Sequence, residues 1–98
     1  MGIFSFLKRG ASARVDYQEM IKNGAIVVDV RTVQEFKSGH VKGSKNIPLH
    51  TLNSKKKAFN GKEVILVCRS GGRATQAKQL LTKSGISAYN AGAWQNLR

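Results

Sequence analysis

The stretch EVILVCRSGGRA, residues 63–74, decides how this chain of 98 residues is arranged. Its first half, EVILVC, is a short apolar run rich in β-branched residues, which is typical of a strand buried on both faces of a parallel sheet. Two adjacent glycines then interrupt the apolar pattern, and the helical pattern ATQAKQLLTKSG follows directly. A buried strand, a short loop and an amphipathic helix in this order predict an α/β fold.

The rest of the chain repeats this alternation. AIVVDV at residues 25–30 predicts a second buried strand, and ISAY at residues 86–89 predicts a third that ends in a turn before a buried Trp94. Three further helices are expected, and each has a start signal or an end signal in the sequence. The first follows Asp16, the second follows Thr32 with Glu35 in its first turn, and the third spans roughly residues 51–59.

Length and composition favour one globular domain. A chain of 98 residues with 41% hydrophobic side chains can build a single compact core. We expect residues 13–98 to form this domain and residues 1–12 to be a flexible N-terminal arm. No apolar window approaches the length of a membrane-spanning helix, so no membrane span is expected.

The single cysteine and the strong positive charge indicate the cellular compartment and the kinds of partner to expect. One cysteine cannot form an internal disulfide, which suits a reducing compartment and predicts a cytoplasmic protein. The formal charge of +12 attracts small anions, acidic proteins and nucleic acids alike. Because the basic run KKK at residues 55–57 has no aromatic residues among its bases, nucleic-acid binding is not expected.

The loop after the strand EVILVC, residues 63–68, has the features of an anion site. Cys68 ends the strand, and ligands bind at the carboxyl ends of strands in open parallel sheets. Gly71 and Gly72 allow successive backbone N–H groups to converge on one point, and a helix that starts near Arg73 adds its positive end there. The sequence therefore predicts that the sulfur is largely thiolate at neutral pH.

The other residues of the loop complete this candidate site, which consists of Cys68, Arg69, Ser70, Gly71, Gly72 and Arg73. The two arginines can hold an anionic ligand, and the serine hydroxyl can donate a further hydrogen bond. No base lies within the loop, although His40 or His50 could fold toward it. The alternative is a buried, inert cysteine. It is disfavoured because a loop with two arginines and two glycines is a poor lining for an apolar pocket.

Three separated motifs carry a resemblance to a known family. VVDVRTVQEFKSGHVKGSKNIPL, VILVCRSGGRA and NAGAW occur in an order that resembles the single-domain rhodaneses, which are sulfurtransferases. The resemblance implies a parallel five-stranded sheet flanked by helices on both faces. It also implies that Cys68 accepts sulfur from thiosulfate or a persulfide donor and passes it, as a persulfide, to cyanide or a thiol. No cofactor is implied.

The resemblance also assigns supporting residues. Asp29 and Arg31 match the family's DVR motif, and a structural role is favoured for the buried carboxylate. Arg31 could pair with Glu35 or line the pocket entrance. His40 resembles a hydrogen-bonded structural histidine, and no metal site is expected because His40 and His50 have no cysteine or carboxylate cluster at ligand spacing.

Two other functions stay open from the sequence. The six-residue loop from Cys68 to Arg73 has the length seen in the family's sulfurtransferases. The related phosphatases and arsenate reductases carry one residue more, so sulfur transfer is favoured over both. A carrier or binding module that receives sulfur from an acidic partner protein is the principal alternative to an enzyme, because the basic surface suits such docking.

Overall fold

The structure, a computed structural model, describes residues 15–97. Within this range helices and strands alternate along the chain. The helices are α1 Tyr17–Lys22, α2 Val33–Lys37, α3 Leu49–Lys55 and α4 Gly72–Lys83, with 3-10 helices at Lys56–Phe59 and Trp94–Leu97. The strands are β1 Ile26–Asp29, β2 Lys45–Asn46, β3 Glu63–Cys68 and β4 Ser87–Ala93.

The strands form one parallel sheet in the order β2-β1-β3-β4. The two most apolar strands, β1 and β3, lie at its centre, where both faces and both edges are covered. Asp29 and Val67 are paired in the β1–β3 register. The end of β1 therefore lies beside the residue that precedes Cys68, so the DVR motif and the cysteine loop share one edge of the sheet.

The alternation of side chains in β3 divides the core into two clusters. Val64, Leu66 and Cys68 face the cluster that includes Leu52 of α3 and Leu81 of α4. The intervening side chains face a second cluster, which is closed by α1 and the C-terminal 3-10 helix and includes Ile65, Val67, Met20, Ile21, Trp94 and Leu97. The predicted α/β fold with helices on both faces is confirmed.

The sheet has four strands within residues 15–97, not the five that the resemblance implied. Between these limits no further apolar run of strand length is left, and β2 pairs with β1 through only two residues. The arm expected at residues 1–12 lies outside the described residues.

The last strand also differs from its prediction. It was expected to end at Tyr89 and turn, but β4 continues to Ala93. The register shifts between Leu66 and Val67 because Ala91 is an extra residue on β4, which makes a β-bulge. Trp94, predicted to be a buried anchor, follows directly and is partly buried against the second core cluster.

Among residues 15–97, no helix has the length and apolar character that crossing a bilayer requires.

Candidate active site

Cys68 lies where β3 ends and the loop to α4 begins. Its side chain is buried with 1% of the residue exposed, and the backbone N–H of Gly71 donates a hydrogen bond to Sγ at 2.8 Å. This N–H can donate to negative charge on the sulfur, and hydrogen bonds to a charged acceptor are the stronger ones. The sulfur is therefore buried, but it is not enclosed by hydrocarbon alone.

The loop holds this N–H in place through a left-handed residue. Gly71 has φ +104°, a conformation that side chains with a Cβ rarely adopt. It is the N-cap of α4, which begins at Gly72, slightly earlier than the sequence predicted, and no side chain caps the helix. The N–H groups of the first turn thus have no side-chain cap, and the positive end of a twelve-residue helix lies next to the sulfur.

Arg73 is held by a carboxylate from α2. Its two terminal nitrogens donate to the two oxygens of Glu35 at 2.7 and 3.0 Å, a bidentate pair in which each side chain is about one third exposed. The hydrogen bond from Arg73, with one from the Thr32 backbone, lowers the pKa of Glu35 to about 2. The pKa of Arg73 is raised in turn, chiefly by Glu35, and the nearby charges of Cys68 and Asp29 act in the same direction.

Asp29 and Arg31 form a separate buried pair at the end of β1. The Arg31 guanidinium donates Nε and one terminal nitrogen to the Asp29 carboxylate at 2.7–3.0 Å, and the Arg31 backbone N–H donates to Oδ1 at 3.0 Å. The same guanidinium donates to the Gly39 carbonyl at 2.6 Å and lies 4.9 Å from the centre of the Trp94 ring. Arg31 therefore pairs with Asp29 and not with Glu35, because the fork of the guanidinium already fits a carboxylate two residues away.

Arg69 and Ser70 are the exposed residues of the loop. Within the described part of the chain Arg69 forms no ion pair, unlike Arg31 and Arg73. It is thus the arginine of this region whose charge is least compensated by neighbouring carboxylates. Its position directly after Cys68 places that charge at the outer side of the loop.

The histidines do not join this site. His40 donates Nδ1 to the Phe36 carbonyl at 2.8 Å and stacks on the Phe36 ring at 3.7 Å, while His50 is exposed on α3. Over residues 15–97 no three His, Cys, Asp or Glu side chains come together as a set that could bind a metal ion. The loop itself supplies an N–H donor to the sulfur and positive charge near it.

Comparison with known proteins places this arrangement in a family. The family model of the rhodanese-like domain matches residues 14–96, which include all four strands and all four α-helices. The chain belongs to the rhodanese-like domain family.

Its relatives include proteins with and without an assigned activity. An uncharacterized Bacillus subtilis protein, YqhL, is 40% identical over 68 residues, and the thiosulfate sulfurtransferase GlpE of Ectopseudomonas mendocina is 35% identical over 71 residues. These matches cover 67% and 71% of this chain but only 54% and 65% of the two relatives. A crystal structure of a rhodanese-related protein from Thermoplasma volcanium superimposes with a TM-score of 0.74 at 31% identity, covering 84% of this chain and 83% of that one.

Sequence analysis missed three side chains that shape the loop of this rhodanese-like domain. Glu35 was considered as a helix cap and as a possible partner of Arg31, and nothing in the local pattern points to its bond with Arg73, 38 positions away. Thr75 and Asn90 both contact the Gly71 carbonyl and were not singled out. Asn90 lies inside β4, but the predicted strand ended at Tyr89, so no signal in the sequence pointed to its role.

Proposed function

We propose that this rhodanese-like domain transfers sulfur through a persulfide on Cys68. The observation that carries the proposal is the Gly71 N–H, which donates to Sγ at 2.8 Å beside the uncapped N-terminus of α4. These groups interact with negative charge and not with one particular element, so they favour a thiolate and equally a persulfide anion one atom further out. Relatives named thiosulfate sulfurtransferase support the same chemistry.

In the proposed reaction the Cys68 thiolate attacks the outer sulfur of thiosulfate. A new S–S bond forms to Sγ, the S–S bond of thiosulfate breaks, and its electron pair leaves with sulfite. The Cys68 persulfide then passes its outer sulfur to an acceptor thiolate or to cyanide, and the electron pair of the broken bond restores the Cys68 thiolate. Each step is a nucleophilic displacement at sulfur, so no cofactor or external oxidant is required.

The residues around the sulfur have distinct proposed roles. Arg69 attracts the anionic donor at the exposed side of the loop, and Ser70 offers a hydroxyl donor. Arg73 retains its charge within the pair with Glu35 and contributes to the field around the sulfur. Gly71 and Gly72 supply main-chain N–H groups, while Asp29 and Arg31 support the edge of the sheet beside them.

The direct test is mass spectrometry of the protein after exposure to thiosulfate. We expect the Cys68 peptide to gain the mass of one sulfur atom, to lose it when cyanide is added, and to release thiocyanate in equal amount. The Cys68→Ser variant is the control, because the chain has no other cysteine. A wild-type protein that gains no sulfur from thiosulfate or from a small-molecule persulfide would overturn the proposal.

A second candidate is a sulfur carrier that receives its sulfur from a partner protein. The observation that favours it is that Arg31 and Arg73 are each paired with a carboxylate, which leaves less uncompensated charge for a free dianion. An acidic partner would instead be recognised by the basic surface of the domain in a reducing compartment such as the cytoplasm. Persulfide formation from a persulfidated donor protein, without measurable turnover of thiosulfate, would identify the carrier.

A further inference from the structure

The carbonyl of Gly71 is held by two side chains behind the cysteine loop. Asn90 of β4 donates from Nδ2 to this oxygen at 3.1 Å, and the Thr75 hydroxyl of α4 donates to it at 2.9 Å. The Thr75 backbone N–H adds a third hydrogen bond at 2.9 Å. Asn90 Nδ2 also donates to Thr75 Oγ1 at 3.0 Å, so the two side chains support each other as well as the carbonyl.

The orientation of the Asn90 amide is fixed by its other end. Asn90 Oδ1 accepts the backbone N–H of Gly92 at 2.8 Å, and only an oxygen can accept there. Nδ2 must therefore face Gly71 and Thr75, and it lies within hydrogen-bond distance of both oxygens. The β-bulge at Ala91 brings the Gly92 N–H into reach, and the Tyr17 hydroxyl binds the Asn90 carbonyl at 3.3 Å from the other face of the sheet.

These contacts act on the residue that faces the sulfur. The N–H of Gly71 donates to Cys68 Sγ while its carbonyl is held behind the loop, so both peptide groups of this left-handed residue are restrained. Because a trans peptide is planar, the Gly72 N–H points in the direction opposite to the Gly71 carbonyl. Holding the carbonyl away from the loop thus also sets the direction of the first N–H of α4.

We propose that Asn90, together with Thr75, is a positioning residue that keeps the Gly71 N–H aimed at the reacting sulfur and fixes the direction of the Gly72 N–H. The proposal rests on the proposed function of Cys68 for its catalytic consequence. Its effect on the state of the thiol can be measured without any sulfur donor. Asn90 does not touch the sulfur, so its action passes through the Gly71–Gly72 peptide.

The test compares Asn90→Ala with Asn53→Ala, which removes an exposed asparagine from α3. We expect Asn90→Ala to lower the thiolate absorbance of Cys68 at neutral pH and to slow its alkylation by iodoacetamide about threefold to tenfold, as the loss of one hydrogen bond predicts. Persulfide formation should slow similarly through kcat with little change in KM. Asn53→Ala should behave as the wild type in every assay.

Two further variants keep the proposal open to refutation if Asn90→Ala loses stability. Thr75→Ser retains the hydroxyl and should retain the thiolate signal, whereas Thr75→Val removes it and should weaken the signal. Since both side chains act on one oxygen, the effects of Asn90→Ala and Thr75→Val should not be additive in the double variant. Folded Asn90→Ala with wild-type thiolate absorbance and alkylation rate would overturn the positioning role.

The outcomes separate this proposal from the function itself. A wild-type protein that forms no persulfide, but whose thiolate signal falls in Asn90→Ala, refutes sulfur transfer and supports the positioning role. A wild-type protein that forms the persulfide, with no change in Asn90→Ala by any of these measurements, supports sulfur transfer and refutes the positioning role.

Discussion

Glu35 contributes to two structures at once. Its Oε1 accepts the Thr32 backbone N–H in the capping box of α2, and both carboxylate oxygens accept from Arg73 at the start of α4. A single side chain thus fixes the first turn of one helix and ties it to the first turn of another. Replacing Glu35 should therefore lower the free energy of unfolding by more than the loss of an ordinary helix cap would.

Acid should weaken the fold through this residue. The pKa of Glu35 is lowered from 4.5 to about 2, so the ion pair contributes fully above pH 4.5 and its contribution is lost as the pH falls toward 2. Because both side chains are about one third exposed, we expect a contribution of about 1 kcal/mol. Urea unfolding across this pH range should show a shallower loss of stability in Glu35→Gln than in the wild type. Parallel curves for the two proteins would contradict this role.

At the scale of the element, the junction of β3 and α4 depends on two glycines with different tasks. Gly71 has φ +104° and its N–H faces the sulfur, whereas Gly72 is the first residue of α4 and has open space where a Cβ would lie. In the sequence they are simply two adjacent glycines, and nothing distinguishes one from the other. Their different backbone conformations follow from how the helix is placed on the strand.

Alanine substitution should separate these tasks in a stability measurement. Gly71→Ala forces a Cβ into a left-handed conformation and should destabilise the protein by about 1–2 kcal/mol. Gly72→Ala adds a better helix former in open space and should leave stability unchanged or raise it by about 0.5 kcal/mol. Urea unfolding of both variants provides the comparison, and equal losses would show that the left-handed geometry of Gly71 is not the cause.

At the scale of the whole molecule, positive charge dominates. The chain carries 17 basic and 5 acidic residues, and two of the acids, Asp29 and Glu35, are neutralised by arginines close to the cysteine loop. Most of the remaining basic charge has no acidic counterpart. The molecule as a whole should therefore attract anions toward its surface more strongly than the few groups around Cys68 would by themselves.

Ionic strength should reveal this attraction. We expect the second-order rate of Cys68 persulfide formation from thiosulfate to fall by about tenfold as salt rises from low concentration to several hundred millimolar, where charges are screened within a few ångströms. Alkylation of Cys68 by the uncharged iodoacetamide is the matched control and should change little. If both rates fell together, salt would be acting on the loop and not on the encounter with an anion.

Several features could be predicted from the sequence because they are local. They are the periodicity of β1, β3 and α4, the capping box at Thr32, and the position of Cys68 at a strand end. Each depends on residues within a single helix or strand. The extension of β4 could not be predicted, since a bulge at Ala91 is decided by pairing with β3. The partial burial of Trp94 could not be predicted either, because it depends on packing against Arg31, which lies just after the end of β1.

The sequence by itself determined an alternating α/β domain with one thiol placed between a buried strand and a helix, because apolar periodicity, glycine and charge act over short distances along the chain. Only the tertiary structure decided which carboxylate each arginine binds and that Asn90, 19 positions from Gly71, lies behind the loop. The physical reason is that these contacts join side chains from different elements. Their partners are set by the register and packing of those elements in the folded sheet.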